Sequence, residues 1–258
     1  MALQPWLKGI VTRIEDETYN TRRFWIQVPE LQAFDFAPGQ FVTLDLPIHE
    51  KPAKRIRSYS IASWPDGTNT FELLIVLLDG GAGTTYLFNE IKEGSELILR
   101  GPQGVFTLPD PMEKDLYFIC TGTGIAPFRS MVNYIHLHRI PHPRISLIFG
   151  TRTQKDLLYA DELKDLEVEM KDFRFLPTLS REKWDGCCGY VHEVYETLIK
   201  ESLNGNGAPP AHFYLCGWKA MIDEAKQRIQ GLGYDRKAIH QELYGLRRVL
   251  PVETSLLC

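Results

Sequence analysis

The sequence feature that most constrains the fold is a change of hydrophobic pattern at Pro109-Asp110-Pro111. Before this segment, apolar and polar residues alternate in short runs at residues 9–14, 22–28, 40–46, 56–62, 70–78 and 96–99. After it, continuous apolar runs at residues 116–120, 145–149, 173–176 and 213–216 alternate with helical segments that begin near residues 127, 160, 191 and 219. The two parts of the chain therefore predict two different kinds of sheet.

Short alternating strands favour a small antiparallel barrel, and one short helix at residues 84–90 is expected to interrupt it. Strands that are apolar on both faces and alternate with helices predict a parallel sheet covered on both sides. We therefore expect an α+β chain of two domains, with an antiparallel β-barrel at residues 1–111 and an α/β parallel-sheet domain at residues 112–258. Because the linker is short, the domains should pack together around a cleft.

Composition and charge make several function classes improbable. The 258 residues carry a net charge of −4 with a pI near 6.0, which gives no reason to expect nucleic acid or an anionic membrane as the partner. The five cysteines include no C-x-x-C pair, so neither a metal site nor an iron–sulfur cluster is predicted. The first eight residues lack a secretion-signal pattern and no apolar run could span a bilayer, so we expect a cytoplasmic protein, and a monomer.

A strand-to-helix turn is the sharpest local motif of the second half. An apolar run leads into Thr121-Gly122-Thr123-Gly124, and Pro127 stands where a helix is expected to begin. Glycines let the backbone approach a pyrophosphate closely, and free N–H groups at a helix start stabilise its charge. Pro127 occupies the place of the third glycine in G-x-G-x-x-G, and the turn alone is equally consistent with a tight connection.

A second motif is Arg57-Ser58-Tyr59-Ser60-Ile61, at the end of a basic run. In an extended segment, Arg57 and Tyr59 point to one face while Ser58 and Ser60 point to the other. An arginine binds phosphate oxygens with its fork of N–H donors, and a tyrosine ring stacks on a flat aromatic group. The segment suits an anion that carries a flat ring, although taken alone it is better explained as an ordinary half-buried strand.

Six motifs, taken together and in order, resemble the ferredoxin-NADP⁺ reductase family over nearly the whole chain. They are Arg57-x-Tyr59-Ser60, Gly81-x-x-Thr84-x-Tyr86-Leu87, Gly101-Pro102-x-Gly104-x-Phe106, Gly122-Thr123-Gly124-Ile125-Ala126-Pro127, Ser180-Arg181, and Cys216-Gly217 followed by Met221. Each motif is moderately specific alone, whereas their common order is strongly specific. The resemblance is to bacterial-type members with some plant-type features, and it implies a barrel that binds FAD and an α/β domain that binds NADP(H).

On the FAD side, the resemblance implies that Arg57 holds a phosphate, Tyr59 stacks on the flavin and Ser60 forms a hydrogen bond near the reactive N5. Ser58 and Ile61 belong to the same flavin-binding segment. The segment implied to receive the FAD pyrophosphate at the start of the short helix is Gly83, Thr84 and Thr85.

On the nucleotide side, Ser180 and Arg181 match the family's site for the 2′-phosphate of NADP(H), where an arginine replaces the carboxylate that usually meets NAD(H). Tyr190 resembles a residue that stacks on adenine in plant-type members, and Arg152 is a further candidate for the nucleotide. Taken alone, Arg181 is more simply interpreted as a solvated loop cation. The residues implied to receive the pyrophosphate are Thr121, Gly122, Thr123 and Gly124.

Around the reacting atoms, the resemblance gives four catalytic candidates: Ser60, Cys216, Glu242 and Tyr244. Cys216 and Glu242 match residues beside the nicotinamide. Tyr244 matches an aromatic residue that covers the flavin and moves aside for the nicotinamide. That tyrosine is terminal in plant-type members, whereas fourteen residues follow it here, and such a tail can contact the adenine side of FAD.

The resemblance implies an oxidoreductase in which FAD carries electrons between NADPH and a one-electron protein carrier, ferredoxin or flavodoxin. Three alternatives stay open: the reductase component of an oxygenase or other multicomponent system, a non-catalytic flavin-binding redox subunit, and an FMN enzyme. Ferredoxins and flavodoxins are typically acidic, so a basic docking surface is expected. Its candidates are Lys51, Lys54, Arg55, Arg247 and Arg248.

Overall fold

A computed structural model describes residues 4–203 and 209–244, except for the side chain of Tyr244. The strands are β1 (Leu7–Thr18), β2 (Thr21–Gln27), β3 (Phe41–Asp45), β4 (Ile56–Ser60), β5 (Thr70–Val76), β6 (Glu96–Gln103), β7 (Asp115–Thr121), β8 (Ile145–Thr151), β9 (Phe173–Leu179), β10 (Cys187–Cys188), β11 (Ala211–Trp218) and β12 (Ile239–Tyr244). The helices are α1 (Ala82–Asn89), α2 (Ala126–Leu137), α3 (Ala160–Glu169), α4 (Val191–Ser202) and α5 (Lys219–Gly231). Short 3-10 turns cover Pro52–Lys54, Gly122–Ile125, Gln154–Asp156 and Arg236–Ala238. None of these described helices is long and apolar enough to cross a bilayer.

The first six strands form one antiparallel sheet in the order β4-β3-β6-β1-β2-β5. Just beyond β4, Ile61 pairs with Leu73 of β5, and the Ala62 amide donates to the Glu72 carbonyl at 2.8 Å. These contacts join the two edge strands, so the sheet closes into a barrel around its own apolar core. The predicted antiparallel barrel is confirmed.

The remaining strands form a parallel sheet in the order β10-β9-β8-β7-β11-β12. Successive residues of β7 point to opposite faces, as in any strand. Phe118 lies in the core formed with α2 and α3, whereas Ile119 lies in the core formed with α4 and α5. Both faces of the sheet are therefore buried, which confirms the prediction made from the continuous apolar runs.

Two strands of the parallel sheet were not predicted from the sequence. β10 has two residues, which is too short for any periodicity to show. β12 pairs with β11 in register from Phe213 and Ile239 to Trp218 and Tyr244, and it forms an edge of the sheet. Its mixed polar composition carries no strong strand signal, but its position brings residues near 240 to the same edge as the end of β11.

The barrel and the parallel sheet share an apolar contact. Phe106, which follows β6, packs against Phe128 of α2 and Tyr214 of β11, with ring centroids 5.7 and 5.3 Å apart. The Tyr214 hydroxyl donates to the Thr107 carbonyl at 3.0 Å. The segment that connects the two sheets is thus part of a packed core, so the halves face one another directly.

Candidate functional site

The first cluster of candidate residues lies on the barrel, where β4 approaches the start of α1. The Arg57 guanidinium donates through Nη1 to the carbonyls of Lys54 and Ile56, at 3.0 and 2.7 Å. Its Nε lies beside Gly83, where a Cβ atom would come within 3.0 Å. The backbone thus holds the guanidinium against the amino end of α1, and the glycine leaves room for that approach.

The amino end of α1 has donors to offer an anion, because no side chain caps it. The Thr84 hydroxyl accepts from the Leu78 amide and donates to the Gly81 carbonyl, both at 3.1 Å. The Thr85 amide donates to the same carbonyl at 2.9 Å. These two groups serve the turn, so phosphate contacts in this segment fall to the amides of residues 82–84, which have no partner within the helix. Together with Arg57 they fit a pyrophosphate.

The other flavin-segment candidates occupy different environments along β4. Tyr59 packs against the barrel core, and burial raises the pKa of its hydroxyl to about 12. Ser58 is exposed, and its hydroxyl lies 3.1 Å from that of Thr43. Ile61 is fully buried in the barrel core. The ring of Tyr59 and the guanidinium of Arg57 therefore share a face of the strand, as its alternation requires.

The second cluster lies at the carboxyl edge of the parallel sheet, between β7 and β11. The chain runs from β7 to β8 and β9 on one side and returns to β11 on the other, so the strand order reverses here. Ligands of open α/β sheets bind in the crevice at such a point. A Cβ on Gly124 would lie 2.4 Å from the Cys216 carbonyl, and one on Gly217 would lie 2.4 Å from Thr121 Oγ1. Glycines at both positions let the strand ends approach closely.

The turn after β7 has the properties of a phosphate-binding loop. Gly122 has a φ of +54°, a conformation that favours glycine, and open space surrounds its Cβ position. The Thr121 hydroxyl oxygen is buried without a hydrogen-bond partner among the described residues. A buried polar atom left in this state costs roughly 1–3 kcal/mol, so this hydroxyl is available to form a hydrogen bond with a ligand. The Thr123 carbonyl accepts from the Ala126 amide as the turn enters α2. The arrangement fits the pyrophosphate of a dinucleotide.

The candidate residues for the 2′-phosphate lie at the ends of β8 and β9. The amides of Ser180 and Arg181 donate to the carbonyls of Thr151 and Arg152, each at 3.0 Å, so the two arginines are neighbours. The Ser180 hydroxyl donates to the Thr151 carbonyl at 3.2 Å. Both arginine side chains are exposed, and Tyr190, just before α4, is 67% exposed. Two accessible cations and an accessible ring suit an adenosine that carries an extra phosphate.

The two clusters meet at Ser60 and Glu242. Ser60 Oγ donates to Glu242 Oε2 at 2.8 Å, although 182 residues separate them in the chain. Burial raises the pKa of the Glu242 carboxyl, and the hydrogen bond from Ser60 opposes that rise. Cys216, which is fully buried, pairs with Glu242 in the ladder between β11 and β12. Three of the four catalytic candidates therefore lie together where the barrel contacts the parallel sheet.

The fourth catalytic candidate, Tyr244, ends β12, and its backbone pairs with that of Trp218. Its side chain lies outside the described residues, as do residues 245–258, which include Arg247 and Arg248 of the expected docking surface.

Sequence reasoning missed two features of this region. Trp218 directly follows Gly217 at the end of β11 and is 52% exposed, and an aromatic residue next to the Cys216-Gly217 motif was the available signal. Arg129 and Glu72 form a buried ion pair at 3.0 Å between the two halves. The sequence feature that could have indicated this ion pair was the Glu72 carboxylate within the apolar run of β5.

Two family models match the chain, one in each half. The oxidoreductase FAD-binding domain matches residues 8–108, and the oxidoreductase NAD-binding domain matches residues 118–227. The first range contains the Arg57 and Gly83 cluster, and the second contains the glycine turn after β7.

Comparisons with whole proteins point the same way. Ferredoxin-NADP reductase B of Sorangium cellulosum is 37% identical over 216 residues, which are 83% of this chain and 87% of that protein. The glycine betaine monooxygenase reductase subunit of Pseudomonas aeruginosa is 29% identical over 253 residues, or 94% of this chain, and this chain spans 66% of its length. A ferredoxin NADP⁺ reductase structure from Neisseria gonorrhoeae, with bound FAD and NADP, matches with a TM-score of 0.76 at 26% identity, over 92% of this chain and 98% of that one. The chain therefore belongs to the ferredoxin-NADP reductase family and is an oxidoreductase that binds FAD and a nicotinamide dinucleotide.

Proposed function

We propose that this chain carries electrons between NADPH and a one-electron protein carrier, ferredoxin or flavodoxin, through FAD. The flavin supplies the conversion, because it accepts electrons as a pair and releases them singly. The protein binds the two cofactors, orients them and excludes water from the place where they meet.

The observation that carries this proposal is the hydrogen bond between Ser60 and Glu242, 2.8 Å long. Hydride transfer needs the nicotinamide C4 and the flavin N5 held roughly 3–3.5 Å apart. Ser60 belongs to the flavin segment, and Glu242 neighbours Cys216 at the nucleotide crevice. Their contact brings the two binding regions together, which is the geometry that direct transfer requires.

The residue roles are part of the proposal. Arg57 and the amides at the start of α1 bind the FAD pyrophosphate, with Tyr59 against the flavin ring. The turn from Thr121 to Gly124 binds the nucleotide pyrophosphate, and Tyr244 gates access to the flavin. We propose that the boundary between the two cofactor domains lies between residues 111 and 112, which is supported by the end of β6 at residue 103 and the start of β7 at residue 115.

The exposed arginine at residue 181 supports a preference for NADPH, since its guanidinium is free to form charge-assisted hydrogen bonds with a 2′-phosphate. The test is the rate of flavin bleaching by NADPH and by NADH, in the wild type and in Arg181→Ala. We expect the variant to lose roughly 10- to 100-fold in apparent NADPH affinity, about 1.5–3 kcal/mol, with little change for NADH. Lys183→Ala, an exposed cation on the same loop, is the matched control.

Each outcome of that experiment has a defined meaning. Equal effects of Arg181→Ala and Lys183→Ala would remove the specific role of Arg181. A wild type that is bleached equally well by both nucleotides would refute the 2′-phosphate assignment. A wild type that neither nucleotide bleaches would refute the hydride-transfer proposal itself.

The reductase component of an oxygenase is the second candidate, and the glycine betaine monooxygenase reductase relative supports it. That relative is half as long again as the region matched here, whereas the Sorangium cellulosum relative is matched over 87% of its length. The 37% identity to the ferredoxin-NADP reductase of Sorangium cellulosum supports the first candidate. NADPH-dependent reduction of added ferredoxin or flavodoxin by the purified protein is the expected result, and electron delivery to an oxygenase without any such carrier would favour the second candidate.

Two further properties complete the proposal. Lys51 and Lys54 are exposed and suit an acidic carrier, whereas Arg55 is held by Asp45 at 2.6 Å and is less available. We also expect a monomer, for which light scattering should give a mass near 29.6 kDa.

A further inference from the structure

A buried group of polar and charged side chains crosses the contact between the barrel and the parallel sheet, and the proposed chemistry does not use it. The group, called the interface cluster, is Arg23 and Glu72 from the barrel with Arg129, Tyr159 and Glu162 from the other half. Glu72 and Arg129 are only 2% and 4% exposed. Charged side chains at such depth are rare unless they are paired, so each contact in the cluster has to be accounted for.

Arg129 of α2 uses all three guanidinium nitrogens. Nε and Nη2 each donate to the Glu162 carboxylate at 2.8 Å. Nη1 donates to the Ala62 carbonyl and to Glu72 Oε2, both at 3.0 Å. The first two bonds stay within the parallel-sheet half and the others reach the barrel. One rigid planar group is therefore fixed to both halves at once.

Glu72 is the matching acceptor on the barrel. Besides Arg129, its carboxylate accepts from Arg23 Nε at 2.8 Å and from the Tyr159 hydroxyl at 2.6 Å. Burial alone would raise the pKa of Glu72, but the Arg129 and Arg23 guanidiniums lower it below its ordinary value. Arg129 is thus shared between Glu72 and Glu162, whereas Arg23 bonds Glu72 and also lies 3.8 Å from the Glu17 carboxylate and 4.0 Å from that of Glu15.

Tyr159 gives the cluster a second connection to the barrel. It stands just before α3 with a φ of +52°, a left-handed backbone conformation that is strained at a non-glycine residue. Its amide donates to Glu17 Oε1 at 2.6 Å, and its ring lies 4.2 Å from the Arg129 guanidinium carbon. Such a conformation persists only where the surroundings determine it, and here the barrel supplies the partners.

The position of Arg129 connects the cluster to the cofactors. Arg129 lies five residues after Gly124, and Ala62 lies two residues after Ser60. We propose that Arg129 is a positioning residue for hydride transfer. Its bonds to Ala62 and Glu72 fix the turn from Thr121 to Gly124, called the nucleotide turn, relative to the segment that carries Ser60. This inference rests on the proposed placement of the nucleotide at the turn from Thr121 to Gly124.

The cluster suits positioning better than stabilisation. A buried ion pair contributes little net stability compared with apolar residues of the same volume, because desolvation offsets its attraction. Hydrogen bonds to a planar fork are directional, whereas the apolar contact around Phe106 is less so. A misplacement of about 1 Å between reacting groups can cost on the order of 100-fold in rate, so direction is the property that matters here.

Arg129→Lys tests the proposal, since lysine keeps the charge but lacks the fork. Three quantities are measured: the NADP⁺ dissociation constant, the rate of flavin reduction by NADPH, and the distance between spin labels at Lys92→Cys and Val168→Cys. Both label sites are exposed, one in each half, and Cys187, Cys188 and Cys258 are replaced by serine beforehand. Arg144→Lys is the matched control, because Arg144 forms an exposed ion pair with Asp115 within one half.

We expect Arg129→Lys to leave the NADP⁺ dissociation constant unchanged within about twofold, to slow flavin reduction about tenfold or more, and to broaden the label distances. Arg144→Lys should change none of the three. Wild-type reduction rate or wild-type distance width in Arg129→Lys would overturn the inference, as would a loss confined to nucleotide affinity.

A second variant covers the case in which Arg129→Lys does not fold. Tyr159→Phe removes one hydrogen bond to Glu72 and leaves the guanidinium in place, so the same changes are expected with smaller size. An unchanged rate and an unchanged distance width in Tyr159→Phe would then contradict the inference. Failure of the proposed function is distinguishable, because the wild type itself would then not be bleached by NADPH while the distance measurement would still report on the interface cluster.

Discussion

The two proposed phosphate-binding regions differ in how much of each is assembled in advance. On the barrel, two backbone carbonyls hold the Arg57 guanidinium against Gly83 at the start of α1. At the parallel sheet, the turn offers backbone groups and the buried Thr121 hydroxyl, while the side chains of Arg152 and Arg181 extend into solvent. Ordering such an arginine costs up to about 2 kcal/mol on binding. The barrel region therefore suits a cofactor that stays bound, and the sheet region suits a nucleotide that exchanges in every cycle.

The largest expected effect comes from removing the Arg57 guanidinium, which the barrel backbone already holds in place for FAD. Arg57→Ala should weaken FAD binding about 100-fold, roughly 3 kcal/mol, because charge-assisted bonds to a phosphate are lost. The measurement is the ratio of flavin to protein after purification, followed by a titration with FAD. Arg55→Ala is the control, since that neighbouring side chain pairs with Asp45 and should retain full flavin content. Full flavin content in Arg57→Ala would remove the basis of the comparison.

The next effect concerns the nucleotide turn. In Gly124→Ala the new Cβ would meet the Cys216 carbonyl at 2.4 Å, so the ends of β7 and β11 must separate. Overpacking of this kind typically costs about 1–3 kcal/mol, and we expect a tenfold or greater loss of NADP⁺ affinity with FAD content unchanged. Gly231→Ala is the matched control, because open space surrounds that position. Loss of FAD rather than NADP⁺ from Gly124→Ala would contradict the separation of the two regions.

A smaller effect concerns the pH dependence of stability at the contact between the regions. Burial raises the folded-state pKa of Glu242, with Ser60 opposing, so the folded chain holds this proton to higher pH than the unfolded chain does. Stability is therefore lost as pH rises from the ordinary carboxyl value through the raised one. Glu242→Gln keeps an acceptor for Ser60 and removes that loss. Its unfolding temperature should gain on that of the wild type as the pH rises above the ordinary carboxyl value of glutamate.

The comparison between wild type and Glu242→Gln isolates Glu242 from the other buried carboxylate, Glu72. Glu72 titrates in the opposite sense, because its folded-state pKa is lowered, but it is present in both proteins and cancels in the difference. Parallel stability curves for wild type and Glu242→Gln would show that the Glu242 carboxylate is not held in a buried contact.

The smallest effect lies at the expected docking surface. Lys51→Glu combined with Lys54→Glu should raise the KM for an acidic carrier about two- to fivefold at low salt, because exposed charges contribute roughly 0.2–1 kcal/mol each. The change should shrink at high salt, since screening weakens such contacts. Lys164→Glu combined with Lys171→Glu alters the same charge on exposed sites elsewhere and should leave the KM unchanged.

Most of the fold could be predicted from the sequence because both sheets follow simple periodicities. The six barrel strands and the four main strands of the parallel sheet lie where their apolar patterns indicated. The two-residue β10 and the edge strand β12 could not be predicted, since neither carries a periodicity long or apolar enough to stand out. The local hydrophobic pattern thus predicted the main strands and helices but not the two edge strands of the parallel sheet.

The candidate site was accessible through motifs, whereas its contacts were not. No spacing rule brings Ser60 to Glu242 across 182 residues, and that contact depends on β12 adding to the sheet beside β11. The interface cluster was missed for a related reason. Arg129 in a helix and Glu72 in a strand each resemble solvated charges until the packing of two halves buries them together.

In the proposed function, FAD remains bound on the barrel while NADPH exchanges at the parallel sheet and reduces the flavin. The most direct test is to mix the purified flavoprotein with NADPH without oxygen, follow the flavin absorbance, and then separate protein from small molecules by gel filtration. We predict bleaching, with FAD in the protein fraction and NADP⁺ among the small molecules. An unbleached flavin, or flavin that elutes with the small molecules, would contradict the account.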